Sequence, residues 1–365
     1  MSDIEYPELK FKKNRYAFLG KKRIFGKQVL LAEQVNGFNR YEFWPRLNIA
    51  IFHNNQDVFS FVDKHFFQLR SAPRRWLLRV IMLAARFVGP FIVPAYIYTQ
   101  IKCDVLVLGD TLIAIDLVGG DFSKRYTKPW PRYVDRMLSL NSILPCPANI
   151  CRDSRGFWHT VPICSGVPVN RKTNVDGRIL IYRSALECIA SANNGSKSEK
   201  TSMKYLHELK SMIPDMFKFQ VFEKLLNAID KRLLLVLVLT HGDLKDQNIL
   251  VYGDEVSLID WELADFRNQY HDLFNLIIHP VVHGDSLLNA GVHASDTLIE
   301  WSRRLAPTAC PDDENAARQF LLLTLVEKFV LYTTSGRWRL AERQCVYDLK
   351  KAMGYLNKRF DLGLY

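Results

Sequence analysis

Two short stretches of this 365-residue chain carry residue types whose spacing suits chemistry: His241-Gly242-Asp243-Leu244-Lys245-Asp246-Gln247-Asn248 and Leu258-Ile259-Asp260-Trp261-Glu262. A carboxylate stands five residues before a carboxamide, and a second carboxylate follows twelve residues later. Phosphoryl transfer asks for such a set, because it needs an acceptor hydroxyl positioned and phosphate charge neutralised, with little covalent work. Asp243 is placed to orient that hydroxyl and take its proton. Asn248 and Asp260 offer hard oxygen ligands, which suit Mg²⁺. Lys245 has two open readings: a cation on the transferred group, or an exposed loop lysine.

The elements around these residues explain how they would meet. Leu233 to Leu239 precedes the loop as an apolar β-forming run, and two further runs, Asn248 to Val251 and Val256 to Asp260, follow it. They are joined by Tyr252-Gly253-Asp254-Glu255, and a Gly-Asp turn between apolar runs signals a hairpin. The hairpin would bring Asn248 and Asp260 together at its open end, within reach of one ion.

The pattern His-Gly-Asp-Leu-x-x-x-Asn-Ile-Leu plus Leu-Ile-Asp-Trp-Glu resembles the aminoglycoside phosphotransferase and choline kinase superfamily. The resemblance is strong over about residues 230–275 and extends over about 104–360. It implies an α+β, bilobal protein-kinase-like fold, with a small β-rich N-lobe and a mostly helical C-lobe. It also implies ATP and Mg²⁺ as cofactors and a phosphotransferase acting on an alcohol group. His271-Asp272-Leu273 resembles the family's later Asp-Leu, which braces the catalytic core. Lys245 stands where protein kinases carry a lysine that contacts the γ-phosphate.

A nucleotide lobe is expected upstream. Asp104 to Val118 reads as two apolar runs around Gly109-Asp110, again a hairpin. Gly119 and Gly120 follow, and paired glycines let a backbone approach phosphates closely. Lys124 is the nucleotide lysine by resemblance. Arg125 competes, since a one-residue slip moves a side chain to the other face of a strand. The family pairs its lysine with a Glu on the next helix; the helix-like segment Pro131 to Leu144 has Asp135 as its only acid. Trp158 to Ile163 and Ser165 to Pro168 resemble the strand and hinge beside adenine.

Length allows two or three units of ordinary size. The expected domains are a basic, aromatic-rich extension over 1–100, a nucleotide lobe over 101–168 and a catalytic lobe over 169–365. A composition 48% hydrophobic and 24% charged is that of a globular protein. Seven cysteines, an odd number without a C-x-x-C pair, argue against a zinc module and a disulfide framework, which fits a reducing cytosol. His279 and His283 lie four apart, but Pro280 is expected to interrupt the helix that would align them.

The net charge of +11 is uneven. Residues 1–100 hold sixteen Lys and Arg against seven Asp and Glu; the remainder is nearly balanced, with 33 against 31. Such a patch attracts anionic lipid, nucleic acid or acidic glycan. Trp76 to Tyr98 is the most apolar stretch, within the segment 71–98 to which a peripheral membrane contact is assigned, yet Arg79, Arg86, Pro90 and Pro94 argue against a spanning helix. Two readings stand: a helix packed on the body, or a basic-striped helix in a membrane interface. Nucleic-acid binding is disfavoured, because no RNA-binding motif accompanies the aromatics.

The expected acceptor is therefore a small molecule or a glycan or lipid-linked sugar, in the cytoplasm or peripherally at the inner membrane face. A protein kinase is disfavoured by Trp261-Glu262 after Asp260. A kinase fold serving as an idle scaffold is disfavoured by the intact Asp243, Asn248 and Asp260. The polar stretch Ser191 to Ser202 reads as a loop, and Pro311-Asp312-Asp313-Glu314 as a helix start with early acids.

Overall fold

A computed structural model describes residues 39–44, 49–52, 58, 60–61, 76, 80, 96–99, 103–108, 112–127, 132–153, 156–169, 174–193, 197–213, 220–283, 297–334, 350 and 353–362. The chain divides into two compact units, 1–129 with 146–163, and 130–145 with 164–365.

The first unit is built on one antiparallel sheet. Its strands are β1 (Asn39–Trp44), β2 (Ile49–Ile51), β3 (Tyr96–Thr99), β4 (Val105–Leu108), β5 (Leu112–Asp116) and β6 (Asp121–Thr127). After a helix of the other unit, α1 (Arg132–Leu140), come β7 (Asn149–Asp153) and β8 (Gly156–Pro162). The spatial order is β3-β1-β2-β4-β5-β6-β8-β7. Both expected hairpin arms, 105–108 and 112–116, pair in register from Leu108 with Leu112 to Val105 with Ile115.

The sheet does not begin at residue 101. Three strands from the region read as an extension pair with it, and Tyr41, Ala50, Cys103, Leu106, Leu112 and Ala114 form one buried cluster. The Tyr41 hydroxyl accepts from the Cys103 amide at 3.0 Å, which ties β1 to the start of β4. Apolar side chains distant in sequence close this core, so the charge change near residue 100 is not a structural border. Of residues 71–98, Trp76 and Val80 are helical and exposed, and 96–98 belong to β3. The rest of that stretch, with the membrane contact assigned to it, lies outside the described residues. Among the described residues no helix is long and apolar enough to cross a membrane.

The second unit is mostly helical. After α1 come β9 (Val167–Pro168), α2 (Val175–Ala192), β10 (Ser198–Thr201), α3 (Ser202–Met212), α4 (Gln220–Ala228) and β11 (Leu234–Thr240). Then follow β12 (Ile249–Tyr252), β13 (Glu255–Leu258), β14 (Asp265–Asn268), α5 (His271–His283), α6 (Leu298–Leu305) and α7 (Glu314–Thr334). Three helix starts have a local cause. Asn174 caps α2 by accepting the Gly177 amide at 2.7 Å, Thr297 and Glu300 form a capping box on α6, and Asp313 accepts the Ala316 amide at 2.8 Å ahead of α7. The middle of α7 is buried on all sides, from Phe320 to Leu331, so this helix is the axis of the core.

Two local expectations fail here. Ser198–Thr201, inside the polar stretch read as a loop, is an edge strand paired with β11. Backbone bonds hold an edge strand without apolar anchors, and polar side chains guard it. Helix α5 also runs past Pro280 to His283. A proline removes one backbone bond of a helix, yet the helical residues continue through it to His283, so the interruption is not a stop.

The α+β class, with a β-sheet unit early and a helical unit late, agrees with the fold read from the sequence.

Candidate active site

Strand β11 is the lever that presents the loop 241–248. It pairs with β10 on one side and β14 on the other, so the chain leaves Thr240 at a fixed point. There the backbone must turn sharply. Gly242 adopts φ +81°, and a Cβ on it would lie 2.2 Å from the Leu263 carbonyl oxygen. Only glycine fits, since φ and space both exclude a side chain.

The loop is then held from behind. The buried Asp272 carboxylate, on the first turn of α5, accepts the His241 amide at 2.7 Å and the Gly242 amide at 3.0 Å. Hydrogen bonds to a charged acceptor contribute about 1.5–3 kcal/mol each. The His241 ring is buried and lies 4.7 Å from the Trp261 ring. Its Nε2–H donates to the Ile259 carbonyl at 2.8 Å, and its Nδ1 accepts the Asp243 amide at 3.3 Å. One imidazole thus links the loop to the residue preceding Asp260.

Hairpin β12–β13 closes the arrangement. Register pairs Ile249 with Leu258 through Tyr252 with Glu255, and the Ile259 amide continues the ladder to the Asn248 carbonyl at 3.0 Å. Asn248 and Asp260 therefore stand at the same open end of the ribbon. The Asn248 Nδ2 donates to the Asp243 carbonyl at 2.9 Å, which commits its donor and turns the carboxamide oxygen into the group it can offer an ion. Asp260 is left-handed at φ 68°, ψ 48°. A non-glycine residue held there costs on the order of 1–3 kcal/mol and persists only when its surroundings fix it. A short 3₁₀ turn, Trp261–Leu263, follows at once, and its end is tied down by Arg267, which donates to the Leu263 carbonyl at 3.0 Å and to Thr240 Oγ1 at 2.8 Å.

Lys245 forms an ion pair with Asp243, each side chain being mostly buried. Of the two readings, the exposed loop lysine is the one this contact does not match. Asp135 lies on α1 with its side chain exposed. Its neighbour Arg136 reaches Asp265 at 2.6 Å, so α1 packs beside β14 within the second unit.

Gly119, Gly120 and Lys124 belong to the first unit. The turn 117–120 joins β5 to β6, with Gly120 at φ +74°. Its amides are claimed by acids of the same unit: Leu117 N donates to Asp104 at 2.7 Å, and Val118 N and Gly119 N donate to Asp116 at 3.1 and 2.8 Å. Lys124 sits on β6 between Ile113 and His159. Arg125 is buried on the opposite face, with its guanidinium 5.3 Å from the Trp158 ring centroid. Lys124 is thus the half-exposed member of the two.

Sequence reading missed three groups. Asp246 is buried against Arg178 at 2.7 Å and accepts from the Tyr182 hydroxyl. Asn275 donates to the Leu244 carbonyl at 3.0 Å. Glu327 and Lys328 lie buried in the middle of α7. The last pair left a signal, since adjacent charges interrupt the apolar run Phe320 to Leu331.

A loop carboxylate braced through its backbone by a buried acid, with a carboxamide and a second carboxylate at a hairpin base, is the kind of set that phosphoryl transfer asks for. Residues 200–307 match the model of the APH phosphotransferase enzyme family. No curated protein matches the sequence. Among solved structures, a thermostable mutant of aminoglycoside phosphotransferase APH(4)-Ia is 13% identical with a TM-score of 0.44, covering 68% of this chain and 92% of its own. Choline kinase LicA from Streptococcus pneumoniae is 12% identical with a TM-score of 0.44, covering 76% and 99%. Amicoumacin kinase hAmiN, in complex with AMP-PNP, Ca²⁺ and its ligand, is 12% identical with a TM-score of 0.41, covering 67% and 85%.

Proposed function

We propose that this phosphotransferase moves the γ-phosphate of ATP to a hydroxyl of a non-protein acceptor, with Mg²⁺. The observation that carries the reading is the single hydrogen-bonded frame that holds Asp243, Asn248 and Asp260 in one unit. Asp243 receives the acceptor's proton. Lys245, paired with it, lies close enough to share its charge with an incoming phosphate. Lys124 supplies a second cation for the nucleotide phosphates, and Gly119 and Gly120 give it a close turn. Asp135 is the acid of the α1 helix available to this machinery.

The donor set fits Mg²⁺. Among the described residues no group of three His, Cys, Asp or Glu could hold a metal. Two oxygen donors suit an ion that keeps several waters and shares its coordination with substrate phosphates. Asn248 and Asp260 would hold it, and when bound it neutralises phosphate charge.

The acceptor is a small molecule or a glycan or lipid-linked sugar. The basic first hundred residues favour an anionic acceptor or a peripheral position at the inner membrane face. ATP consumption screened against alcohols, sugars and lipid-linked glycans identifies it. Asp243→Asn is expected to lower turnover by roughly 10²–10⁴-fold, and Asp260→Ala to lower it and raise the Mg²⁺ requirement. Turnover near wild type in both variants overturns the reading.

A further inference from the structure

Helix α5 presents two polar side chains, Asp272 and Asn275, on one face at a spacing of i and i+3. They grip the catalytic loop on either side of Asp243. Asp272 takes the two amides before it, at His241 and Gly242. Asn275, fully buried, gives its Nδ2 to the carbonyl of Leu244, just after it. A carboxylate can only accept, so the first grip has one possible orientation. A carboxamide has two, and if Asn275 flipped it would turn its oxygen towards the Leu244 oxygen.

What fixes the carboxamide comes from α7. The Lys328 ammonium, 1% exposed, donates to Asn275 Oδ1 at 2.6 Å. An ammonium has donors and no acceptor, so it selects the rotamer that aims Nδ2 at the loop. The neighbouring Glu327 has a separate task. It accepts from Tyr205, from the Asn268 amide and side chain, and from His271 Nδ1, at 2.6 to 3.0 Å, and so fixes the approach to α5. Packing alone does not call for a cation at 328, where Leu325, Val326, Phe329 and Leu331 of α7 are apolar and buried. Burial pushes the Lys328 ammonium down to about 8, with Asp243 and Asp272 acting in the opposite sense and Lys245 and Arg267 adding to it. A buried cation held at such a cost suggests a contact that a hydrophobic residue could not make.

We propose that Lys328 is a positioning residue for phosphoryl transfer: by orienting Asn275 it fixes the backbone of the catalytic loop immediately after Asp243. The proposal rests on the reading of Asp243 as the base.

The test uses the full chain with ATP and MgCl₂, water serving as phosphoryl acceptor, together with hydrogen exchange of the 241–248 amides. Variants are Lys328→Met, Asn275→Leu, the double variant, and Asn275→Asp. The last keeps volume and a partner for Lys328 but removes the donor to Leu244, so it serves if Lys328→Met fails to fold. Each single variant is expected to lower kcat by about tenfold or more, as small misplacements of catalytic groups do, with the KM for ATP changed less than about twofold. The double variant should fall no further than either single one, the signature of two residues acting in series. Exchange at 241–248 should quicken.

A folded Lys328→Met with kcat within about twofold of wild type and unchanged exchange overturns the proposal, as do losses that multiply in the double variant. Asp243→Asn is run beside them. If it hydrolyses ATP like wild type, the phosphotransfer reading falls. Exchange then decides the link alone: quickened in Lys328→Met it stands, unchanged it fails.

Discussion

The loop 241–248 and the turn 117–120 each carry glycine beside an acid, yet they are held in opposite ways. The turn is closed within its own unit by nearby carboxylates, Asp116 two and three residues away and Asp104 on the adjoining hairpin arm. The loop is fixed by α5, about thirty residues later in the chain, through Asp272 and Asn275. The two also differ in how crowded they are. Gly242 and Gly120 share a positive φ, but a Cβ at 242 would strike Leu263, while a Cβ at 120 would meet nothing within 4 Å. The proposed base Asp243 needs a backbone that does not move, and local turn chemistry alone does not give that.

The largest effect that tests this contrast is Gly242→Ala. Strain and overlap together should destabilise the protein by about 3 kcal/mol or more and abolish turnover. Denaturant unfolding measures it, and a loss under about 1 kcal/mol would show that the loop can relax. Next is Asp272→Asn. A carboxamide can accept only one of the two buried amides with its single oxygen, so stability should fall by about 2–3 kcal/mol and turnover with it. Unchanged melting would mean that the loop carries its own shape.

A smaller, pH-dependent effect is expected at the far end of the same brace. The Lys328 ammonium is about 8 when folded and 10.5 when exposed. Between those values the unfolded chain binds more protons than the folded one, so wild-type stability gains from this group as pH rises. Lys328→Met removes that gain. Any stability advantage of the variant should be largest below pH 8 and shrink towards pH 10.5, as read from thermal melts. A pH-independent difference would count against a buried ammonium. The smallest effect should be Gly120→Ala, about 1 kcal/mol from φ alone, with at most a modest change in the KM for ATP. A loss as large as that at Gly242 would erase the contrast.

How much of this could be read beforehand follows the same division. Hairpin β12–β13, with Asn248 and Asp260 at its open end, was visible because a two-residue turn fixes its register. Asp272 was visible through resemblance. Asn275 and Lys328 were not, because their roles depend on how α7 lies against α5, which no local pattern encodes. Strands β1–β3 were hidden for a related reason: β1 and β3 pair across more than fifty residues, behind a stretch whose basic charge suggested a separate element.

Asp246 has a practical consequence for mutagenesis. It stands three residues from Asp243, carries the same carboxylate, and is locked to Arg178 and Tyr182 beneath the loop. Replacing it with alanine would strand a wholly buried guanidinium, so activity would vanish through collapse of α2 against the loop. A survey scored by activity would rank the two aspartates alike. Scored by yield of folded protein, it would separate a worker from a rivet.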